Sequence, residues 1–262
     1  MMAFIKEESE DVKIEETFTV KQEDLQEQTG SVRTQRRTPA EATDLHTVIK
    51  MAFVKEESED VEIEETFTVK QEDLQELTGP IVYVIGDSYI RRGEERARQT
   101  VGTNLGLDAH IRWFGCGGLV WRNLVSFFRR CLEGRAVPDV LLIHCGGNDL
   151  GNIKSVILAA VMKQDLEDLH RQFPQMKIIF SAITQRCLWR FAESLRKVDR
   201  ARRFVNHAMA TIMVSVGGAI VHHPEITYKD PGHFLHDRVH LTPLGNDIFL
   251  KNLAQCLKNQ IQ

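Results

Sequence analysis

Residues 80–262 predict an α/β domain, a parallel sheet with helices on both faces. Two observations carry this. Short β-branched apolar runs alternate with helix-like stretches along the whole segment. Several of the runs are apolar at every position and stop at glycine, as strands buried on both faces do. A third observation sets the limit of the domain. Residues 1–79 hold 9 Lys and Arg against 21 Asp and Glu, net −12, whereas residues 80–262 hold 24 against 16, net +8. An acidic arm therefore precedes a mildly basic body, and the 183 residues of the body suffice for one well-buried core.

The first strand is Ile81-Val82-Tyr83-Val84-Ile85, ended by Gly86. A polar helix is expected from Arg91 to about Leu105. Ile111-Arg112-Trp113-Phe114 is the second strand, stopped by Gly115-Cys116-Gly117-Gly118, and Asn123 to Leu132 is helical. Asp139 to Cys145 is the third strand, stopped by Gly146-Gly147. The helix from Val156 to Phe173 sets Leu158, Val161, Met162, Leu166 and Leu169 on one face. Lys177 to Ile183 is the fourth strand, Leu195 to Val214 a basic helix, and Ala219 to His222 a short fifth strand. Thr242 opens the last helix, with Pro243 in its first turn, and the helix runs to about Leu257.

The arm is a duplication. Residues 2–29 and 51–78 differ at only three of 28 positions: Ile5/Val54, Lys13/Glu62 and Gln28/Leu77. Two copies cannot stack as a solenoid, and each is too rich in Glu to bury a core, so residues 1–79 are expected to be a disordered arm. The pattern aliphatic-Lys-x-Glu recurs at Lys6, Lys13, Lys21, Lys55 and Lys70. It resembles the acceptor site for small ubiquitin-like modifier (SUMO), with a solvated acidic tail as the plainer reading. The arm also resembles the leaders of fish zinc-finger proteins, but no Cys/His zinc spacing follows.

No apolar run reaches the ~20 residues of a membrane helix. The opening Met-Met-Ala-Phe-Ile-Lys-Glu-Glu lacks the pattern of a secretory signal. Five cysteines without paired spacing read as free thiols. The expected location is intracellular, cytoplasmic or nuclear.

Sites in parallel sheets form at the carboxyl ends of strands. Three loops there carry chemistry. Gly86-Asp87-Ser88-Tyr89 presents a hydroxyl after the first strand. Read alone, Ser88 is a helix cap, and the sequence is not the Gly-x-Ser-x-Gly elbow. Gly115 and Gly118 serve either as turn glycines or as backbone N–H donors. Gly146-Gly147-Asn148-Asp149 offers an amide donor or, more plainly, an Asn-Asp turn. Near the end, Asp237 and His240 are three apart before a helix, so one turn can set the carboxylate on the imidazole.

Gly-Asp-Ser, the second-strand glycines, Gly-x-Asn-Asp and Asp-x-x-His occur in this order, and over about residues 80–257 the chain resembles the SGNH (GDSL-type) hydrolases. Trp113-Phe114-Gly115-x-x-Gly118-Leu119-x-Trp121, His144-Cys145-Gly146-Gly147-Asn148-Asp149 and Trp189-Arg190 resemble domains of fish mobile-element-derived proteins. The resemblance implies a three-layer α/β/α, flavodoxin-like fold with about five strands. It implies a catalytic triad of Ser88 as nucleophile, His240 as general base and acid, and Asp237 as its orienter. It further implies an oxyanion hole from the Ser88 N–H, the Gly118 N–H and the Asn148 side chain, with Gly115 and Gly117 as alternatives to Gly118. The implied activity is hydrolysis of a small ester or O-acetyl substrate through an acyl-serine, with no cofactor. The alternative is a non-catalytic binding module on the same fold.

Two other readings compete for the body. His222, His223, His233, His236 and His240 cluster in sequence, but Pro224, Pro231 and Gly232 break the segment and no metal is expected. Arg196, Lys197, Arg200, Arg202 and Arg203 suggest a solvated basic face on an amphipathic helix rather than a nucleic-acid interface.

Overall fold

A computed structural model describes residues 79–192 and 194–261. The acidic arm, its repeats and Lys6, Lys13, Lys21, Lys55 and Lys70 lie outside the described residues. The elements follow the expected order: β1 (Ile81–Gly86), α1 (Ser88–Gln99), β2 (His110–Gly115), α2 (Leu124–Leu132), β3 (Val140–His144), α3 (Ser155–Gln172), β4 (Lys177–Ser181), α4 (Leu195–Ser215), β5 (Ala219–Val221) and α5 (Pro243–Gln260).

The five strands form one sheet in the order β2-β1-β3-β4-β5, and all pairings are parallel. The chain crosses from β1 to β2 on one side, then passes back over β1 to β3. The strand order thus reverses beside β1, at the crevice where parallel sheets bind ligands. Side chains alternate along β1. Tyr83 and Ile85 join α2, α3 and α4 in one apolar cluster, whereas Val82 and Val84 join α1 and α5 in the other. This is the expected three-layer arrangement. β1 and β3 are buried almost throughout because both faces are covered, and His110–Gly115, on the edge, is only half-buried. On α5, Phe249, Leu250, Leu253 and Leu257 are buried against the sheet, each burial stabilising the fold by roughly 1.5–3 kcal/mol.

Three expectations change. α1 starts at Ser88 rather than Arg91 because Asp87, not Ser88, is its cap, accepting the Tyr89 N–H at 2.9 Å. It ends at Gln99 because Gly102, Leu105 and Gly106 turn the chain through positive φ. Val161 is 43% exposed, whereas Leu158, Met162, Leu166 and Leu169 are buried. At 3.6 residues per turn, Val161 falls about 60° outside the arc those four share. Arg202 does not belong to the solvated face. It is 9% exposed and donates to the Ile183 carbonyl at 3.0 Å and to Asp199 at 2.9 Å, while Arg196, Lys197, Arg200 and Arg203 are exposed.

Among the described residues no helix is long and apolar enough to cross a membrane. The five cysteines are free thiols.

Candidate active site

Tight backbone contacts set the position of Ser88. A Cβ at Gly86 would stand 2.1 Å from the His144 carbonyl oxygen, so only glycine lets β1 leave the sheet this close to β3. One at Gly115 would stand 2.3 Å from the Arg91 nitrogen, so α1 packs against the end of β2. The Asp87 N–H donates to the His144 carbonyl at 3.2 Å and the Cys116 N–H to the Gly86 carbonyl at 2.9 Å. Ser88 thereby becomes the first residue of α1, at the strand-order reversal, 8% exposed.

The histidine arrives from a turn before α5. Asp237 Oδ1 accepts the Val239 and His240 N–H groups, both at 2.9 Å, and Asp237 Oδ2 lies 2.6 Å from His240 Nδ1. Arg238, between them, has φ 60, the left-handed conformation that a side chain tolerates only at a cost of roughly 1–2 kcal/mol. That conformation turns its carbonyl onto the Cys187 and Leu188 N–H groups, at 3.1 and 3.0 Å. His240 Nε2 then lies 3.0 Å from Ser88 Oγ. Burial alone would raise the Asp237 carboxyl, but the hydrogen bonds from His240 and Val239 outweigh it and hold the group at about 2. An ionised carboxylate on Nδ1 keeps the proton there and leaves the Nε2 lone pair facing the serine hydroxyl. Ser88, His240 and Asp237, 152 residues apart at the extremes, form one hydrogen-bonded line.

Asn148 stands beside Ser88's loop. Its Nδ2 donates to the Leu119 carbonyl at 2.9 Å and, more weakly, to Asp87 Oδ2 at 3.4 Å. The loop after β2 is held to it in a second place, where the Trp121 N–H donates to Asp149 Oδ2 at 3.0 Å. Burial pushes the Asp149 carboxyl up to about 6, against the lowering effect of that N–H. Gly118 lies in this loop with φ 74, a conformation that favours glycine; Gly115 lies at the strand end, excluded from any larger residue by α1. The loops after β1, β2 and β3 thus meet, bringing Ser88, the Gly118 segment and Asn148 together.

Sequence reasoning missed Arg186. It is 5% exposed and follows β4, so the strand-end rule that led to the other loops also covered it. Its Nη2 donates to Asp87 Oδ2 and its Nη1 to Asn148 Oδ1, both at 3.2 Å. The guanidinium also lies 5.1 Å from the ring centroids of both Tyr89 and Trp189. Asp87 itself is 0% exposed; burial raises its pKa, opposed chiefly by Arg186 and by the Tyr89 N–H. A second buried network lies behind the site, where Ser181 Oγ is 2.9 Å from His144 Nδ1 and 2.8 Å from His223 Nε2. Burial, helped by Arg186, pushes His144 down to about 3, and burial pushes His223 well below its usual range. These rings are neutral parts of the core. His236 and His240 lie in the loop before α5 rather than on a helix, and among the described residues no His, Cys, Asp or Glu cluster is placed to hold a metal.

The fold is that of the GDSL-type acylhydrolases. A GDSL-like lipase from Bacteroides thetaiotaomicron superposes with a TM-score of 0.52 at 14% identity, covering 69% of this chain and 89% of that one. The lipase/acylhydrolase from Enterococcus faecalis gives 0.53 at 14% identity, covering 70% and 97%. The esterase domain of the ORF1 protein of a zebrafish retrotransposon is 21% identical over 68% of this chain and 99% of that one, with a TM-score of 0.34. No protein-family model matches the sequence, and no curated protein matches it. At these identities the likeness to the two bacterial structures establishes the α/β architecture and leaves the chemistry to the site.

Proposed function

We propose that the chain is a serine esterase that cleaves an ester or O-acetyl bond through an acyl-serine. The observation that carries this is the line Ser88 Oγ, His240 Nε2, His240 Nδ1, Asp237 Oδ2, with contacts of 3.0 and 2.6 Å. The acylhydrolase fold supports it.

His240 Nε2 takes the Ser88 proton as Oγ bonds to the carbonyl carbon. Asp237 stabilises the imidazolium without taking its proton. The carbonyl oxygen becomes an oxyanion facing the Ser88 N–H, the Gly118 N–H and Asn148 Nδ2. As the first residue of α1, Ser88 has no helical residue four positions earlier to accept its N–H. The tetrahedral species collapses, its C–O bond to the alcohol breaks, and His240 returns the proton to the leaving oxygen. Water then repeats the sequence on the acyl-enzyme, freeing the acid and Ser88.

The test is a panel of short-chain acyl esters and a fluorophosphonate probe, applied to the wild type and to Ser88→Ala. Turnover and labelling of Ser88 that vanish in the variant are expected. Equal rates for the two proteins, or no label on Ser88, would leave a binding module on a hydrolase fold.

For the arm we infer SUMO conjugation at Lys6, Lys13, Lys21, Lys55 and Lys70, supported by the repeated aliphatic-Lys-x-Glu pattern alone. Replacing all five lysines by arginine should abolish modified bands in cells; an unchanged band pattern refutes it.

A further inference from the structure

We propose that Arg186 is a positioning residue that orients and polarises Asn148 so that its amide serves as an oxyanion donor; the proposal rests on the esterase reading. The geometry assigns the amide's direction. Guanidinium N–H groups only donate, so Nη1 at 3.2 Å requires the Asn148 oxygen to face it. The amide nitrogen then faces the two acceptors found on its other side, the Leu119 carbonyl at 2.9 Å and Asp87 Oδ2 at 3.4 Å. A flipped amide would set donor against donor at Arg186 and acceptor against acceptor at Leu119.

The two amide hydrogens have different uses. The shorter contact ties Asn148 to the loop that carries Gly118. The 3.4 Å contact is at the limit of a hydrogen bond. Its acceptor is already served by Arg186 Nη2 at 3.2 Å, and the same carboxylate receives the Tyr89 N–H at 2.9 Å. Asp87 can therefore release that hydrogen to a developing oxyanion and take it back when the oxyanion collapses. A cation on the amide oxygen draws electrons from the nitrogen and strengthens the remaining N–H as a donor.

The packing is specific to a guanidinium. It lies between Tyr89 and Trp189, and a Cβ at Gly147 would stand 2.5 Å from Nη2, so the second glycine of Gly146-Gly147 leaves room for it. An ion pair as buried as Arg186–Asp87 is a costly means of holding loops together, and apolar side chains often do so as well. Only the charge delivers a directed positive potential to Asn148.

The experiment uses the full chain and the double variant Asp87→Asn with Arg186→Met, which leaves no unpaired buried charge and keeps a capping side chain on α1. With an acetyl ester, kcat should fall about 100-fold, the scale of losing one oxyanion donor, with KM changed by less than about twofold. In an Asn148→Ala background the same two changes should cost less than about threefold, because the residue they act through is gone. The Asn148 side-chain amide signals in a 15N NMR spectrum, identified by their loss in Asn148→Ala, should move and broaden. Equal losses in both backgrounds, or amide signals that do not move, overturn the proposal. Should the double variant fail to fold, Arg186→Lys keeps the charge but loses the fork, and the same background comparison and amide signals decide. If the wild type neither turns over esters nor labels at Ser88, the esterase reading fails separately. The amide signals then decide alone whether Arg186 orders Asn148.

Discussion

The Tyr89 hydroxyl donates to the Val239 carbonyl at 2.6 Å. This bond ties the residue after Ser88 to the residue before His240, across 150 positions of sequence. Tyr89 is buried, tilted against His144 and edge-on to Phe249, so its side chain joins the Ser88–His240 contact in tying α1 to the turn before α5. Tyr89→Phe should cost about 1 kcal/mol in denaturant unfolding, the usual value of such a bond. It should lower kcat more than it raises KM, because His240 loses an anchor while Ser88 and Asn148 keep theirs. Stability and kinetics both unchanged would show that the bond is incidental.

Asp237→Asn presents an amide to His240 Nδ1 in place of a carboxylate. If its N–H faces the ring, Nδ1 becomes the acceptor and Nε2 holds the proton, the wrong tautomer for a base. An activity loss of about ten-thousandfold is expected with the fold intact. Because Asp237 is held at about 2, its contribution to stability is present above the ordinary carboxylate range near 3.8 and is lost only as pH falls from there toward 2. Any loss of activity in mildly acidic buffer must therefore arise elsewhere, and the pH–rate profile of the wild type checks this.

Gly86→Ala places a methyl group 2.1 Å from the His144 carbonyl and 2.7 Å from Ile90. Neither neighbour can yield, since one is the backbone of β3 and the other sits in the core. A loss of more than about 4 kcal/mol, or failure to fold, is expected from circular dichroism and urea titration. A stable, active alanine variant would show that the exit of β1 is looser than described.

His223 is buried and held well below its usual range near 6.5 by burial first, then by His144 and His222. The unfolded chain binds a proton there that the native chain excludes. The sign follows: stability is full above about 6.5 and falls as pH drops below it, by about 1.4 kcal/mol per pH unit for one such group. Asp149, held at about 6, acts in the opposite sense, adding stability as pH falls through 6 toward 3.8. The total curve thus mixes both, and a comparison isolates the histidine. His223→Gln should be less stable than wild type near neutrality, with the gap closing as pH falls through about 5. Parallel curves would mean that His223 binds its proton equally well in the folded and unfolded chain.

The succession of strands and helices along the chain was legible from residues alone. Runs such as Val140-Leu141-Leu142-Ile143 exclude water on both sides, and Gly86 and Gly146 mark where each run must turn. Thr242-Pro243 marked the start of α5 correctly because capping is local, with Thr242 accepting the Gly245 N–H. The start of α1 was misplaced for the opposite reason. Gly86-Asp87-Ser88 contains two residues able to cap, and the choice fell to Asp87 because Ser88 faces His240 from far along the chain.

The sequence by itself determined the α/β class and the order of strands and helices along the chain, since apolar period and glycine stops are written there, and its motif order singled out Ser88, Asn148, Asp237 and His240 as candidates through the resemblance to SGNH hydrolases. Only the tertiary structure decided how those residues meet. It set the 3.0 Å approach of His240 to Ser88, the burial of Arg202 and the exposure of Val161. It also placed Arg186 between Asp87 and Asn148. The reason is physical. Local pattern reports which side chains avoid water, whereas the pairing of buried charges depends on which strand ends the sheet order brings together.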